Sequence, residues 1–255
     1  MTAEPTPAIE VTELACAYED RKVLEGVSFR VRPAEIFFVV GATGAGKTTL
    51  LRNLVGLAAP VHGEVRFNGR PFTGADPAER REMLKTFGLS FQGGALWTSL
   101  TLRENISLPL EEYTRLPKDE IARISAFRLS QVGLSGFEDY YPAEISGGMK
   151  KRAGLARALA LDPTIVFFDE PSAGLDPVTA RNLDRLILDI RDTFGTTIVI
   201  VSHDVDSILG IADRLIMLDT DTRGIIAEGP PDALIAGPTN PKVLEFLTRR
   251  TVRSA

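Results

Sequence analysis

Apolar residues in this chain fall into two patterns. Three runs are apolar almost without a break, at 35–40, 164–168 and 196–201. Short runs rich in Val, Ile and Phe predict strands buried on both faces. Between and after them, apolar residues recur at helical spacing over 49–57, 116–132, 146–161, 177–193 and 204–211. Buried strands alternating with helices imply a parallel sheet covered on both sides. Segments 9–14, 26–32 and 63–68 predict an N-terminal β region with a polar turn at residues 19–22 and a second turn at Asn68-Gly69, closed by Pro71. Asp76 as N-cap and Pro77 at the first helical position predict a helix to about Lys85, and 87–91 predicts a strand. Gly133 is the natural residue just past the helix ending near Val132, and Ser146 can cap the next one. Segments 214–218 and 224–228 predict the last strands, and 231–250 predicts two short helices broken at Gly237-Pro238.

Residues 93–161 hold several helical patterns and few β runs, as an inserted helical subdomain would. The expected fold is therefore α/β. A core with its β subdomain spans 1–92 and 162–228, the helical subdomain 93–161, and a helical tail 229–255. A chain of 255 residues suits one large domain or a core with a subdomain. With 29 basic and 34 acidic residues the net charge is −5, which argues against a dedicated nucleic-acid binder. Cys16 is the only cysteine, so no internal disulfide forms, and the pattern fits a reducing compartment. Residues 1–9 are Pro-rich without an apolar stretch, so no signal peptide is expected. No run of 18 apolar residues exists, so no membrane span is expected, and any membrane role must come through a partner.

The strongest local signal is Gly41-Ala-Thr-Gly-Ala-Gly-Lys-Thr48, which matches G-x-x-x-x-G-K-[ST], the phosphate-binding loop of P-loop NTPases. It stands between a predicted strand and a predicted helix, the setting that the chemistry requires. Gly41, Gly44 and Gly46 let the backbone approach a phosphate. The intervening Ala42, Thr43 and Ala45, and Thr49 just beyond, contribute to the same cradle at a helix N-terminus. Lys47 would reach the β- and γ-phosphates and Thr48 would bind Mg²⁺.

Phe167-Phe168-Asp169-Glu170 ends an apolar strand with two carboxylates, where ligands bind in open α/β sheets. Asp169 would hold Mg²⁺ beside Thr48, and Glu170 would polarise an attacking water. Gln92, after strand 87–91, could contact Mg²⁺ or that water, or simply be solvated. His203 could touch the γ-phosphate, or cap the helix from 204. Ser146-Gly147-Gly148 opens a helix and forms a second anion site, which calls for two nucleotides or a dimer that shares them.

Tyr18, the P-loop, Gln92, Ile145-Ser-Gly-Gly-Met149, Asp169-Glu170, Ser172-Ala-Gly-Leu-Asp176 and His203 follow one another in an order that resembles the ATP-binding-cassette (ABC) ATPases over residues 9–228. The resemblance implies that Tyr18 stacks on adenine. It implies that Ser146, Gly147 and Gly148 bind the γ-phosphate of ATP held by the opposite subunit, and that Asp176 links the two sites of a homodimer closing head-to-tail. Met149 and Ile145 stand where the usual signature has glutamine and leucine. Ser-Gly-Gly-Met followed by Lys150-Lys151-Arg152, Phe91-Gln-Gly-Gly-Ala-Leu-Trp-Thr98 and Ser202-His-Asp-Val205 are similar to the Mla/Mkl branch, which powers phospholipid or related lipid traffic. That likeness implies a cassette on the cytoplasmic face of the inner membrane, held there by an integral membrane permease of the MlaE type that works with an Mce-type lipid-binding protein. A cassette serving an importer of amino acids, metals or another small solute is the alternative.

Leu96, Trp97, Leu100, Leu102, Ile106, Leu108 and Leu110 are either a docking surface, with Trp97 its best candidate, or core packing. Lys150, Lys151 and Arg152 read as a solvated helix face or as support for nucleotide phosphate across the dimer, and the basic stretch Arg249–Arg253 reads as a frayed end or a contact with the other cassette.

Overall fold

The computed structural model describes residues 5–19, 21–237 and 240–248. In chain order the elements are β1 (Ile9–Tyr18), β2 (Arg21–Val31), β3 (Ile36–Gly41), α1 (Lys47–Leu54), β4 (His62–Phe67), β5 (Arg70–Pro71), α2 (Pro77–Leu84), β6 (Phe87–Ser90), α3 (Leu102–Tyr113), α4 (Lys118–Gln131), α5 (Gly147–Ala158) and β7 (Ile165–Asp169). They continue with α6 (Pro177–Phe194), β8 (Thr197–Val201), α7 (Val205–Ile211), β9 (Arg214–Asp219), β10 (Gly224–Gly229), α8 (Pro231–Ala236) and α9 (Pro241–Thr248). A single 3-10 turn at Pro142–Glu144 precedes α5.

One sheet is antiparallel, in the order β2-β1-β4-β5; the other runs β10-β9-β3-β8-β7-β6. In the second, β9, β3, β8, β7 and β6 are parallel and β10 pairs antiparallel with β9 at the edge. The parallel strands are apolar throughout because both faces are covered. Alternate residues feed two cores. Ile36, Phe38, Val40, Val166, Phe168, Ile198 and Ile200 join the helices α3 to α9, whereas Phe37, Val39, Ile165, Phe167, Val199 and Val201 pack with β1, β2, β4 and α1. The helical stretch shares the first of these cores with the sheet rather than having one of its own.

Local chemistry accounts for the element ends. Asp76 caps α2 by accepting from the Ala78 and Glu79 amides. A capping box joins Thr101 and Glu104 at the start of α3. Asn68 and Gly69, both at positive φ, turn β4 into β5.

The first hairpin is longer than the residue pattern predicts. Its strands reach Tyr18 and start at Arg21, so Arg21 and Lys22, predicted in the turn, belong to β2. The reason is irregularity: Glu13 sits at φ +48 and the β1–β2 register shifts three times between Val11 and Ala17. Each shift resets the alternation by which a strand is recognised. Predicted Pro238 and the Arg249–Arg253 stretch lie outside the described residues.

Leu102, Ile106 and Leu110 are buried, which corrects the docking reading for them, and Leu96, Leu100 and Leu108 are half-buried. Trp97 alone of the seven stands out, 62% exposed. Its backbone is fixed by buried Asn105, whose Oδ1 accepts from the Trp97 amide (2.8 Å) and whose Nδ2 donates to the carbonyls of Trp97, Leu100 and Thr101.

The two sheets meet through aromatic rings. Phe67 on β4 lies 4.2 Å from Phe87, 5.2 Å from Phe72 and 6.3 Å from Phe167, centroid to centroid. Phe67→Ala is expected to destabilise the protein by about 3–5 kcal/mol, read as a lower urea midpoint. A loss below about 1 kcal/mol would show that this cluster does not join the sheets.

Candidate active site

The loop after β3 enters α1 through Gly46, at φ +95, a conformation that a side chain would resist. No side chain caps α1. The amides of Lys47, Thr48 and Thr49 have no intrahelical partner and form the positive end of the helix. Lys47 Nζ donates to Gly41 O (2.9 Å) and Ala42 O (3.1 Å), spanning its own loop. Burial lowers the lysine pKa, against the nearby charges of Glu170 and Asp169. Ala45 is turned into the core, so only its backbone can serve a ligand.

Asp169 ends β7 almost buried, and its Oδ1 accepts from Thr48 Oγ1 at 3.5 Å. Burial pushes its carboxyl pKa up and the charge of Glu170 adds to that, while Thr48, Arg52 and Lys47 oppose it. Glu170 follows at φ +50, a strained conformation for a residue with a side chain. Its amide donates to Val201 O (2.8 Å), tying the turn to β8. Its Oε1 meets His203 Nδ1 at 2.8 Å, and its Oε2 accepts from Ser202 Oγ at 3.4 Å. The cap of α7 is Asp204, not His203, so the imidazole is free of that role.

The donor set fits Mg²⁺: a hydroxyl and a carboxylate oxygen already face each other, beside a second carboxylate whose repulsion a cation would relieve. Among the described residues no group of three or more His, Cys, Asp or Glu could hold a metal ion without further ligands, so such an ion would take other oxygens from its substrate.

Thr43, Gly44, Gly46, Lys47, Thr48 and Thr49 line one side of an open cleft of about 860 Å³; Tyr18, Gln92, Glu170 and His203 line the rest. Residue reasoning did not single out Arg21, Lys22, Thr220 and Arg223, which also line it. Arg223 arrives there through the β9–β10 turn, where its carbonyl accepts from the Glu25 amide (2.8 Å), a contact that no local pattern announces.

Ser146, Gly147, Gly148 and Asp176 do not line this cleft. Ser146 caps α5 by accepting from the Met149 amide (3.3 Å). Asp176 caps α6 by accepting from the Val178 and Thr179 amides and from Thr179 Oγ1 (2.5 Å), hydrogen bonds that hold its carboxyl pKa down. Gly148 packs against Thr179 and Leu175, so the two caps are neighbours.

Two of the three basic residues after Met149 are drawn into the protein rather than solvated. Lys151 Nζ donates to the carbonyls of Pro171 and Ala173, and Arg152 Nη1 to those of Val132 and Gly133. Farther along α5, Arg157 donates to Gly94 O and Ala95 O, and a Cβ on Gly154 would come within 2.7 Å of Gly94 Cα. The loop carrying Gln92 is thus pressed onto α5.

A phosphate cradle, a carboxylate pair and a histidine at the C-terminal edge of a parallel sheet define a P-loop nucleoside triphosphatase. The ABC transporter family model matches residues 24–173, and the chain belongs to that family; it is an ATPase. The chain is 38% identical to the intermembrane phospholipid transport system ATP-binding protein MlaF of Escherichia coli K12, over 94% of this chain and 88% of that protein. It is also 38% identical to the probable ribonucleotide transport ATP-binding protein mkl of Mycobacterium leprae, over 96% of this chain and 70% of that protein. The post-hydrolysis dimer of the cassette MJ0796 bound to ADP and Pi is similar in structure, with a TM-score of 0.80 and 27% identity over 87% of this chain and 98% of that one. So is cbiO1 of Clostridium perfringens, with a TM-score of 0.81 and 26% identity over 97% of each chain.

Where α6 packs against α7, Asp184 accepts from Ser207 Oγ (2.9 Å). Burial pushes its carboxyl pKa up to about 6; the Ser207 hydrogen bond opposes this, and the charges of Asp204 and Asp206 add to it. A carboxyl raised in the folded state binds its proton there first, so its contribution to stability falls as pH rises from about 4 to about 6. Asp184→Asn is therefore expected to raise the unfolding midpoint at pH 7.5 by an amount equivalent to roughly 1–3 kcal/mol, and to change it little at pH 4. An equal effect at both pH values in thermal scans would contradict the raised pKa.

Proposed function

We propose that this ATPase powers the transport of phospholipid or a related lipid through a separate membrane permease. The observation that carries the reading is the 38% identity to MlaF over 94% of this chain. No helix among the described residues is long and apolar enough to cross a membrane, so the translocation path would belong to another chain. A permease of the MlaE type working with an Mce-type protein is the partner this reading implies, with the cassette held at the cytoplasmic face of the inner membrane. Exposed Trp97, just beyond Gln92, is the side chain we assign to permease docking. The equal identity to mkl proteins supports a second reading, in which the cargo is another solute.

Hydrolysis in this reading needs positioning and charge stabilisation rather than covalent chemistry. Tyr18, 56% exposed at the end of β1, offers a ring for adenine to stack on. The amides of residues 41–49 and the Lys47 ammonium hold the phosphates. Thr48, Asp169 and Gln92 would hold Mg²⁺, which neutralises charge on the phosphate oxygens when bound. Glu170 accepts the proton of the attacking water or orients it, with His203 and Ser202 fixing the carboxylate. Ser146, Gly147, Gly148 and Asp176, turned away from this cleft, would complete the site of a second copy in a head-to-tail dimer.

Glu170→Gln is expected to bind ATP, to hydrolyse it at least about a hundredfold more slowly and to accumulate as a dimer on size exclusion with ATP. Turnover at the normal rate would refute the role of Glu170. Affinity purification of the tagged chain from mild-detergent membranes should bring down an MlaE-type permease, an Mce-type protein and phospholipid; a different permease would overturn the lipid reading. Trp97→Ala should lose that co-purification while keeping its unfolding midpoint, and an unchanged complex would exclude Trp97 from docking.

A further inference from the structure

Lys151 lies on α5, just beyond the Ser146 cap, and its ammonium is turned inward. Nζ donates to Pro171 O at 2.8 Å and also to Ala173 O. Both carbonyls belong to the turn that follows Glu170, which closes on itself through the Ala173 amide and Glu170 O (3.3 Å). Glu170 needs such support, because a non-glycine residue at φ +50 keeps that conformation only where its surroundings over-determine it. Upstream the support is the bond from the Glu170 amide to Val201 O (2.8 Å). Downstream it is Lys151.

We propose that Lys151 is a positioning residue for Glu170, clamping the two carbonyls of the following turn so that the carboxylate stays aimed into the cleft. Three features favour a cation here. Two carbonyl oxygens converge on one atom, which a single ammonium satisfies and an apolar side chain cannot. The group is partly buried, so its loss would leave those oxygens unpaired. Its charge also lies near Glu170: burial lowers the lysine pKa, and the Glu170 charge opposes that. The same helix grips the Gln92 loop through Arg157 and the Gly94–Gly154 contact, so α5 holds the loops on both sides of the attacking water.

The inference rests on Glu170 acting on that water, and the test separates the two claims. ATP hydrolysis by the full chain is compared with Lys151→Met, Lys151→Arg and Glu170→Gln. Lys151→Met should lower kcat about tenfold, with KM for ATP within about twofold and the unfolding midpoint lowered by no more than about 6 °C. Lys151→Arg should regain at least about half of the lost kcat, because a guanidinium can donate to both carbonyls. An unchanged kcat in Lys151→Met, or a loss accompanied by a collapsed midpoint and no rescue by arginine, would overturn the assignment. If Glu170→Gln is inactive while Lys151→Met is unaffected, only the role of Lys151 falls. If Glu170→Gln hydrolyses normally, the reading of Glu170 falls and takes this one with it.

Discussion

The site depends on keeping two adjacent carboxylates, Asp169 and Glu170, at the end of a buried strand beside a phosphate cradle. Like charges so placed repel each other, and burial adds to the cost. The protein offsets this by surrounding them with donors: Thr48 on Asp169, and His203 and Ser202 on Glu170, with the Lys47 ammonium close by. A polyanionic triphosphate chain approaching such a pair needs still more positive potential. The free amides of α1 provide part of it, and a Mg²⁺ held by Thr48 and Asp169 would add the rest. The negative pair and the positive cradle each make the other tolerable.

Parallel strands are what make this possible. The loop after β3 carries the cradle, β6 leads to Gln92, β7 ends at the carboxylates and β8 leads to His203. Because these strands run in one direction, all four C-terminal ends open on the same edge, where ligands bind in open α/β sheets. The antiparallel sheet brings Tyr18, at the end of β1, to the same cleft, and Phe67, Phe87 and Phe167 pack the two sheets together. Helix α5 performs the complementary task. Its N-terminus presents Ser146 away from the cleft, while Lys151 and Arg157 reach back to the loops of the chain's own site. In the proposed head-to-tail dimer, such a helix would transmit engagement at its N-terminus to the geometry of the chain's own cleft.

Much of this was legible in the residues. The all-apolar strands β3, β7 and β8 needed only their composition, because a strand buried on both faces has no polar alternation to lose. The cradle was readable because backbone approach to phosphate permits few sequences. Asp76 and Ser146 declared their caps through local hydrogen bonding. The first hairpin was less legible, since the bulge at Glu13 breaks the very alternation that identifies a strand. Trp97 stood out among the apolar positions as the best docking candidate, whereas Leu102, Ile106 and Leu110 read equally as docking surface or core, and only packing buried them.

The order of motifs and the types of the reacting side chains were therefore determined by the sequence alone, because each depends on contacts within a few residues. Three things were decided only by the tertiary structure. Arg223 reaches the cleft because a hairpin at the sheet edge meets β2 nearly 200 residues earlier in the chain. Lys151 became a clamp instead of a surface charge because α5 packs beside the turn after Glu170. Glu170 gained its histidine and serine partners because β7 and β8 lie side by side. Such contacts join segments far apart in sequence, and no local pattern records which distant carbonyl or carboxylate a side chain will meet.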